Sequence, residues 1–188
     1  VVLKPGVVLV RLPRVADDQE LVDFCREEWP RLVGSLSLYA GSPHLAEDLA
    51  QEALYRVCRH WRSVRTADSP SAWAHRVAFN LAASDGRRRA AWNRARDRMP
   101  APTPLLVVDH AEAVAVRDAV AALPEPQRAA IVLRYFAHLT VAETAEAMRC
   151  PQNTVKTHTR RAILAMRASG LLGDDDVSAE LPDVEEAR

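Results

Sequence analysis

The sequence predicts an all-α fold of two small helical domains joined by a flexible linker. Apolar residues recur at helical spacing through residues 20–98 and 123–167, and no run shows the alternation of a strand. Between these stretches Pro100, Pro102 and Pro104 end any helix and leave a stiff, extended connection. With 188 residues and 48% hydrophobic content, the chain is long enough for one or two compact cores.

Residues 1–16 form an N-terminal extension. Its apolar start contains Pro5 and Gly6 and lacks a small-residue cleavage site, so it does not read as a signal peptide. The first domain spans residues 17–98. Glu20 to Ala40 places Leu21, Phe24, Cys25, Leu32, Leu36 and Tyr39 on one helical side, with Pro30 expected to kink the helix or start another. Gly41-Ser42-Pro43 is a break. A helix from His44 to about Arg62 follows, with Leu45, Leu49, Ala53, Val57 and Trp61 as its apolar stripe and Glu47, Asp48, Gln51 and Glu52 as an acidic face that suits the start of a helix dipole. After a loop, Ser69 reads as an N-cap and Pro70 as the first residue of a helix to about Arg98. Trp73, Val77 and Leu81 are expected to face inward on it, with Arg76, Asn80, Ala83 and Arg87 along another side.

Residues 99–112 form the linker, whose fourteen residues reach at most ~50 Å, about the length of ~15 base pairs. The second domain spans residues 113–172. From Leu123 to Arg167 the pattern reads as two helices followed by a helix-turn-helix. Thr140-Val141-Ala142-Glu143 is a capping box, so a short helix starts at Val141 and carries Val141, Ala145 and Met148 on one side. Arg149-Cys150-Pro151 ends it and opens the next helix. There Val155, Thr159, Ala162, Ile163 and Met166 would pack inward, leaving Asn153, Thr154, Lys156, Thr157, Arg160 and Arg161 outside. A helix presented this way across a supporting one fits the major groove of B-DNA. Residues 173–188 are an acidic tail without helical periodicity, read as disordered.

The formal charge is zero, yet charge is strongly segregated. Asp17 to Ala53 holds nine acids against two arginines, whereas Leu54 to Arg98 holds eleven arginines against three aspartates. Gln127 to Arg167 has seven basic residues against two glutamates, and Gly173 to Arg188 seven acids against one arginine. Two basic blocks, each preceded by a more acidic one, point to two nucleic-acid contacts with separate protein-facing surfaces. Cys25, Cys58 and Cys150 lack the paired spacing of a zinc or redox site and read as buried thiols in a reducing cytoplasm. No apolar run approaches the roughly 20 residues of a spanning helix. No catalytic residue, metal site or cofactor site is expected, since the acidic pairs stand without histidine or cysteine support.

Four stretches resemble the extracytoplasmic-function sigma factors of the sigma-70 family, with an actinobacterial character. Ala46-Glu47-Asp48-Leu49-Ala50-Gln51-Glu52-Ala53-Leu54 is similar to the family's polymerase-binding helix, and Trp73-Ala74-His75-Arg76-Val77-Ala78-Phe79-Asn80-Leu81 to its promoter helix. Leu123-Pro124-Glu125-Pro126-Gln127-Arg128 resembles the opening of the fourth conserved region, and Cys150-Pro151-Gln152-Asn153-Thr154-Val155-Lys156-Thr157 the recognition helix. The resemblance implies that residues 17–98 are sigma region 2 and 113–172 sigma region 4. It also implies a factor without enzymatic activity that directs RNA polymerase to promoters, working in the cytoplasm on the nucleoid. Its partners would be the polymerase core, through the beta-prime clamp helices and the beta flap, promoter DNA, and an anti-sigma factor; no membrane insertion is implied.

On that resemblance Glu47, Asp48, Leu49, Gln51 and Glu52 bind polymerase. Arg65, Asp68, Ser69, Arg76, Asn80, Arg87 and Arg88 meet the melted downstream (−10) element, and Asn153, Thr154, Lys156, Thr157, His158, Arg160 and Arg161 the duplex upstream (−35) element. Trp61 and Trp73 read as core residues, not stacking platforms. The chain departs from the family pattern at Arg149 and Asn153, which replace glycines, and at His158 and Thr159. A stand-alone helix-turn-helix regulator is the alternative, and it would need tight duplex binding and usually a dimer surface.

Overall fold

A computed structural model describes residues 18–95 and 111–169. The extension 1–16, most of the linker and the acidic tail 173–188 lie outside the described residues. Those that are described form helices and turns, with no strand among them.

Helix α1 (Gln19–Ala40) is capped by the Asp18 carboxylate, which accepts from the Leu21 amide at 3.2 Å. It runs unbroken through Pro30, and no second helix begins there. Pro30 and Arg26 both face solvent, so the carbonyl left without a donor by the proline can take water. Leu21, Cys25, Leu32, Leu36 and Tyr39 are buried as the periodicity requires. Gly41, at φ 69°, closes α1 in the left-handed region that glycine adopts without strain. Ser42 then caps α2 (Pro43–Val64), where Leu49, Ala53, Val57 and Trp61 are buried against α1 and Phe24 lies 5.4 Å from the Trp61 ring. Because α2 starts at Pro43, Glu47, Asp48 and Glu52 fall beyond its first turn, where the helix dipole is weak.

Helix α3 (Pro70–Ala95) departs most from its sequence pattern. The expected inward residues Trp73, Val77 and Leu81 are only half-buried. Its fully covered positions are Ala72, Ala74, His75, Ala78, Phe79 and Ala82. The cause is packing on two sides: α3 meets α1 and α2 on one flank and the second domain's α6 on another. Alanines allow helix backbones to approach closely on both flanks, so the large side chains lie at the seams. In the same interior lies a polar pair unmarked by any periodicity. Glu28 is 3% and His75 0% exposed, with His75 Nδ1 3.1 Å from the Ser71 carbonyl oxygen and 3.7 Å from the Glu28 carboxylate. Nδ1 therefore carries a proton and donates to Ser71, and because burial disfavours a second proton on Nε2 the ring is neutral.

The second domain begins at α4 (Ala111–Ala122) and continues through α5 (Glu125–Ile131). A π-helical turn, Val132–Phe136, extends α5 without a break. Between Leu123 and Thr140 there is thus one helical run where the pattern predicts two. Helix α6 (Val141–Met148) opens with the full capping box: the Glu143 amide donates to the Thr140 hydroxyl at 3.2 Å, and the Thr140 amide donates to the Glu143 carboxylate at 2.8 Å. Thr144, Ala145 and Ala147 are its buried positions, while the expected Val141 and Met148 are half-buried, again because α6 is covered on two sides, by α3 and by α7. Helix α7 (Gln152–Ala168) buries Val155, Ala162, Ile163 and Met166 and leaves Thr159 half-buried. The turn between α6 and α7 places Arg149 at φ 53°, the left-handed conformation where a side chain is strained. Asn153 lies inside the first turn of α7, so its tolerance of unusual backbone angles is not used.

Two measurements check these features. Burial lowers the His75 pKa below its ordinary 6.5, against the opposing pull of the Ser71 carbonyl and Glu28. The unfolded chain therefore takes up the proton first, so the His75 contribution is intact above about pH 6.5 and is lost as pH falls toward the lower folded value. The melting temperature of the native chain should fall more steeply than that of His75→Asn between about pH 7 and pH 5. Arg149→Gly should relieve the left-handed strain and raise stability by about 1 kcal/mol in a denaturant titration; a loss of stability would show that the arginine side chain contributes more than its backbone costs.

Candidate nucleic-acid interface

Three surfaces carry the residues singled out above. On α2, Asp48 and Gln51 are exposed, and Glu47 and Glu52 are half-buried. Glu52 accepts from Arg56 at 2.8 Å. Leu49 does not share this surface: at 8% exposed it points into the core and can only support the face. Tyr55, which sequence reasoning missed, extends the same face. It is 37% exposed, with the Arg59 guanidinium 5.9 Å from its ring centre, and its spacing of seven from Asp48 was the available signal.

The second surface is the loop before α3 and one side of that helix. Arg65 and Asp68 are exposed, and Arg65 lies 4.0 Å from Glu20. The Ser69 hydroxyl accepts from the Ala72 amide at 3.2 Å, capping α3, and donates to the carboxylate of Glu143 on α6. Burial pushes the Glu143 carboxyl up, but hydrogen bonds from Ser69 and Thr140 outweigh it and hold the group below the usual carboxylate range. Arg76 forms an ion pair with Glu146, also on α6. Further along, Asn80 and Arg87 line a cleft of about 280 Å³ whose opposite wall is Glu125, Pro126 and Ala129 of α5 with Ala147 and Met148 of α6. At its floor Tyr39 lies 4.9 Å from the Phe79 ring and donates its hydroxyl to Glu125 at 2.9 Å. Burial and this carboxylate acceptor push the phenol pKa well up. Arg88 and Arg89 reach solvent while bonding Asp85 at 2.8 and 2.7 Å.

The third surface is the outer side of α7. Asn153, Thr157, Arg160 and Arg161 are exposed at intervals of four, three and one, a continuous stripe opposite the buried Val155, Ala162 and Ile163. Thr154, Lys156 and His158 flank it, half-buried. The Thr157 hydroxyl donates to the Asn153 carbonyl at 2.8 Å, which fixes its orientation. Gln152, exposed at the first helical position, belongs to the same end, and its place after the proline was the signal that could have marked it. No side chain caps this helix start, and the Thr154 and Val155 amides close its first turn by donating to the Pro151 carbonyl oxygen. The α2 surface and this one are both open, whereas the α3 surface is partly covered by the second domain.

Among the described residues no group of histidines, cysteines and carboxylates could hold a metal ion, and the three cysteines are free. Cys25 is buried as expected, while Cys58 and Cys150 are only half-buried. No described helix is long and apolar enough to cross a membrane.

Comparison with known proteins agrees with this arrangement. Residues 25–93 match the family model described as Sigma-70 region 2, and residues 113–166 that described as Sigma-70, region 4. The RNA polymerase sigma-E factor of Streptomyces coelicolor is 28% identical over 168 residues, which cover 85% of this chain and 91% of that protein. The ECF RNA polymerase sigma factor SigW of Bacillus subtilis is 32% identical over 143 residues, 68% of this chain and 76% of that protein. Among solved structures, the sigma factor RpoE in complex with the anti-sigma factor NepR, from Bartonella quintana, superposes with a TM-score of 0.67 at 19% identity, over 81% of this chain and 97% of that one, and shares the fold. With both sigma regions in family order on an all-α frame, and with relatives of this similarity, the chain belongs to the extracytoplasmic-function sigma factors and is an RNA polymerase sigma factor that directs promoter recognition.

Proposed function

We propose that the three surfaces divide the work of promoter recognition among them. The acidic face of α2, with Asp48, Gln51, Glu47, Glu52 and Tyr55, docks on a basic element of the polymerase core, the beta-prime clamp helices, while the second domain meets the beta flap. Complementary potentials of this kind set encounter rate and specificity more than raw affinity. The loop from Arg65 to Ser69 and the α3 side chains Arg76, Asn80, Arg87 and Arg88 hold the melted strand of the downstream element by phosphate contacts and base edges. Helix α7 enters the major groove of the upstream element, with Asn153, Lys156, Thr157 and Arg160 toward base edges and Thr154, His158 and Arg161 toward the backbone. Residues 17–98 and 113–172 act as region 2 and region 4, joined by 99–112. The polymerase performs all chemistry and this chain none; the factor works in the cytoplasm, where the chromosome lies. Its relation to a sigma factor solved with an anti-sigma protein extends the proposal to a partner of that kind.

The observation that carries this reading is the α7 stripe: four polar or basic side chains exposed on one face of a helix whose other face is buried. A stand-alone regulator would share that stripe, but the acidic surface on α2 and the basic α3 would then have no task. Reconstituted run-off transcription with bacterial core polymerase tests the reading. A defined start site should appear only when the chain is present, and equal initiation without it would defeat the assignment. On the mapped promoter, Arg160→Ala should reduce upstream-element binding by roughly tenfold, within the about 1–3 kcal/mol of a good base contact, and Arg161→Ala, on the backbone side, should lower the salt dependence of binding.

A further inference from the structure

Cys25 and Cys58 are too far apart in sequence to form a local motif, and the fold brings them together. Helices α1 and α2 make an antiparallel hairpin about Gly41 and Ser42. Cys25 lies sixteen residues before Gly41 and Cys58 sixteen after Ser42, so the two occupy facing positions. The ring contact of Phe24 with Trp61 at 5.4 Å and the approach of Arg65 to Glu20 at 4.0 Å fix the same register. Fully buried Ala46, Ala50 and Ala53 let the two helices approach closely. The thiols themselves share a hydrogen bond, in which Cys25 donates to the Cys58 sulfur. This bond holds the Cys58 thiol below its ordinary pKa against the opposing effect of burial, while the same bond and burial push the Cys25 thiol well up. Cys25 is buried and Cys58 half-buried, so the more reactive sulfur is the one that solvent reaches.

We propose that this thiol pair is a modification site for hydroperoxides, oxidised to a disulfide that ties α1 to α2 at the open end of their hairpin. In the first step the Cys58 thiolate attacks one peroxide oxygen. An S–O bond forms, the O–O bond breaks, and the departing oxygen takes up a proton and leaves as water or an alcohol. In the second step the Cys25 sulfur attacks that of Cys58. The S–S bond forms, the S–O bond breaks, and the hydroxide leaves with the Cys25 proton as water. Two thiols lose two electrons and the hydroperoxide gains them. The turn at Gly41 already closes one end of the hairpin, and the sulfurs already touch at the other, so the bond removes freedom mainly from the unfolded chain. Neither sulfur is among the groups given to polymerase or promoter, and oxidation here fastens the first domain without blocking its surfaces. In a reducing compartment such a bond is transient and is returned to two thiols by exchange with a small dithiol.

The test uses the full chain, reduced, freed of reductant, exposed to a small excess of hydrogen peroxide and quenched with catalase. After unfolding and alkylation, its mass should show a single alkylated cysteine, and a tryptic digest should contain Val15–Arg26 joined to Val57–Arg59, with Cys150 alkylated. The oxidised chain should melt roughly 10 °C above the reduced one, and dithiothreitol should cancel the difference. Dimedone, which traps sulfenic acids, should label Cys58 in Cys25→Ala and leave Cys25 unlabelled in Cys58→Ala. Three alkylated cysteines overturn the site, as does a bridge that includes Cys150 or a Cys58 oxidised beyond sulfenic acid with no bridge. A bridged chain with an unchanged or lower melting temperature overturns the tie, and equal dimedone labelling of the two cysteines overturns the order of steps. The mass and melting measurements are made on the native chain, so they decide the proposal whether or not either alanine variant folds.

Discussion

Helix α3 is covered from two directions, and most of the molecule is arranged around that constraint. Its alanines at 72, 74, 78 and 82 let α1 and α2 approach on one flank and α6 on another, so a single helix lies in the interior of both domains. The same two-sided contact explains why Trp73, Val77 and Leu81 sit at seams and why Thr144 and Ala147 of α6 are buried in place of Val141 and Met148. It also explains the polar pair Glu28 and His75: a histidine on the crowded flank of α3 can remain there because it is neutral and donates to a carbonyl one turn away.

Around this shared helix the charges are sorted by surface. Acids gather on α2 and basic groups on α3 and α7, and in the second domain Glu146 pairs with Arg76 of α3 while Glu125 accepts from Tyr39 of α1. Opposite potentials on separate faces allow one small chain to meet a protein and a nucleic acid without the two contacts competing for the same side chains. The open stripe of α7 and the open face of α2 contrast with the partly covered α3, so the three surfaces differ in readiness as well as in sign.

Local chemistry made much of this legible in the sequence. The Thr140–Glu143 capping box, the Gly41-Ser42-Pro43 break and the proline opening α7 are all encoded within a few residues, and the structure has each where the pattern puts it. The apolar stripes of α1, α2 and α7 were likewise readable, because each of those helices has one dominant buried side. What could not be read was tertiary. The buried sides of α3 and α6 depend on which helix lies beyond each flank, and Leu49 was assigned to a contact surface by its place in a motif although its own stripe buries it. The π-helical turn at Val132–Phe136 leaves no mark in periodicity, so one helical run was read as two. Tyr55 differs: its spacing of seven from Asp48 puts it on the acidic face, a signal outweighed by the expectation that an aromatic residue is buried.

Arg128 shows how such an assembly is fastened at its corner. Its guanidinium donates to the carbonyl oxygens of Ala121 at 2.6 Å and Leu123 at 3.0 Å within its own domain, and to that of Tyr39 at 3.2 Å across the divide. Two of the three bonds are made inside its own domain, so the corner between α4 and α5 is pinned by the residue that also seats the end of α1. One guanidinium thereby serves as a rivet, fastening a bend in one half and the rim of the other with a single side chain.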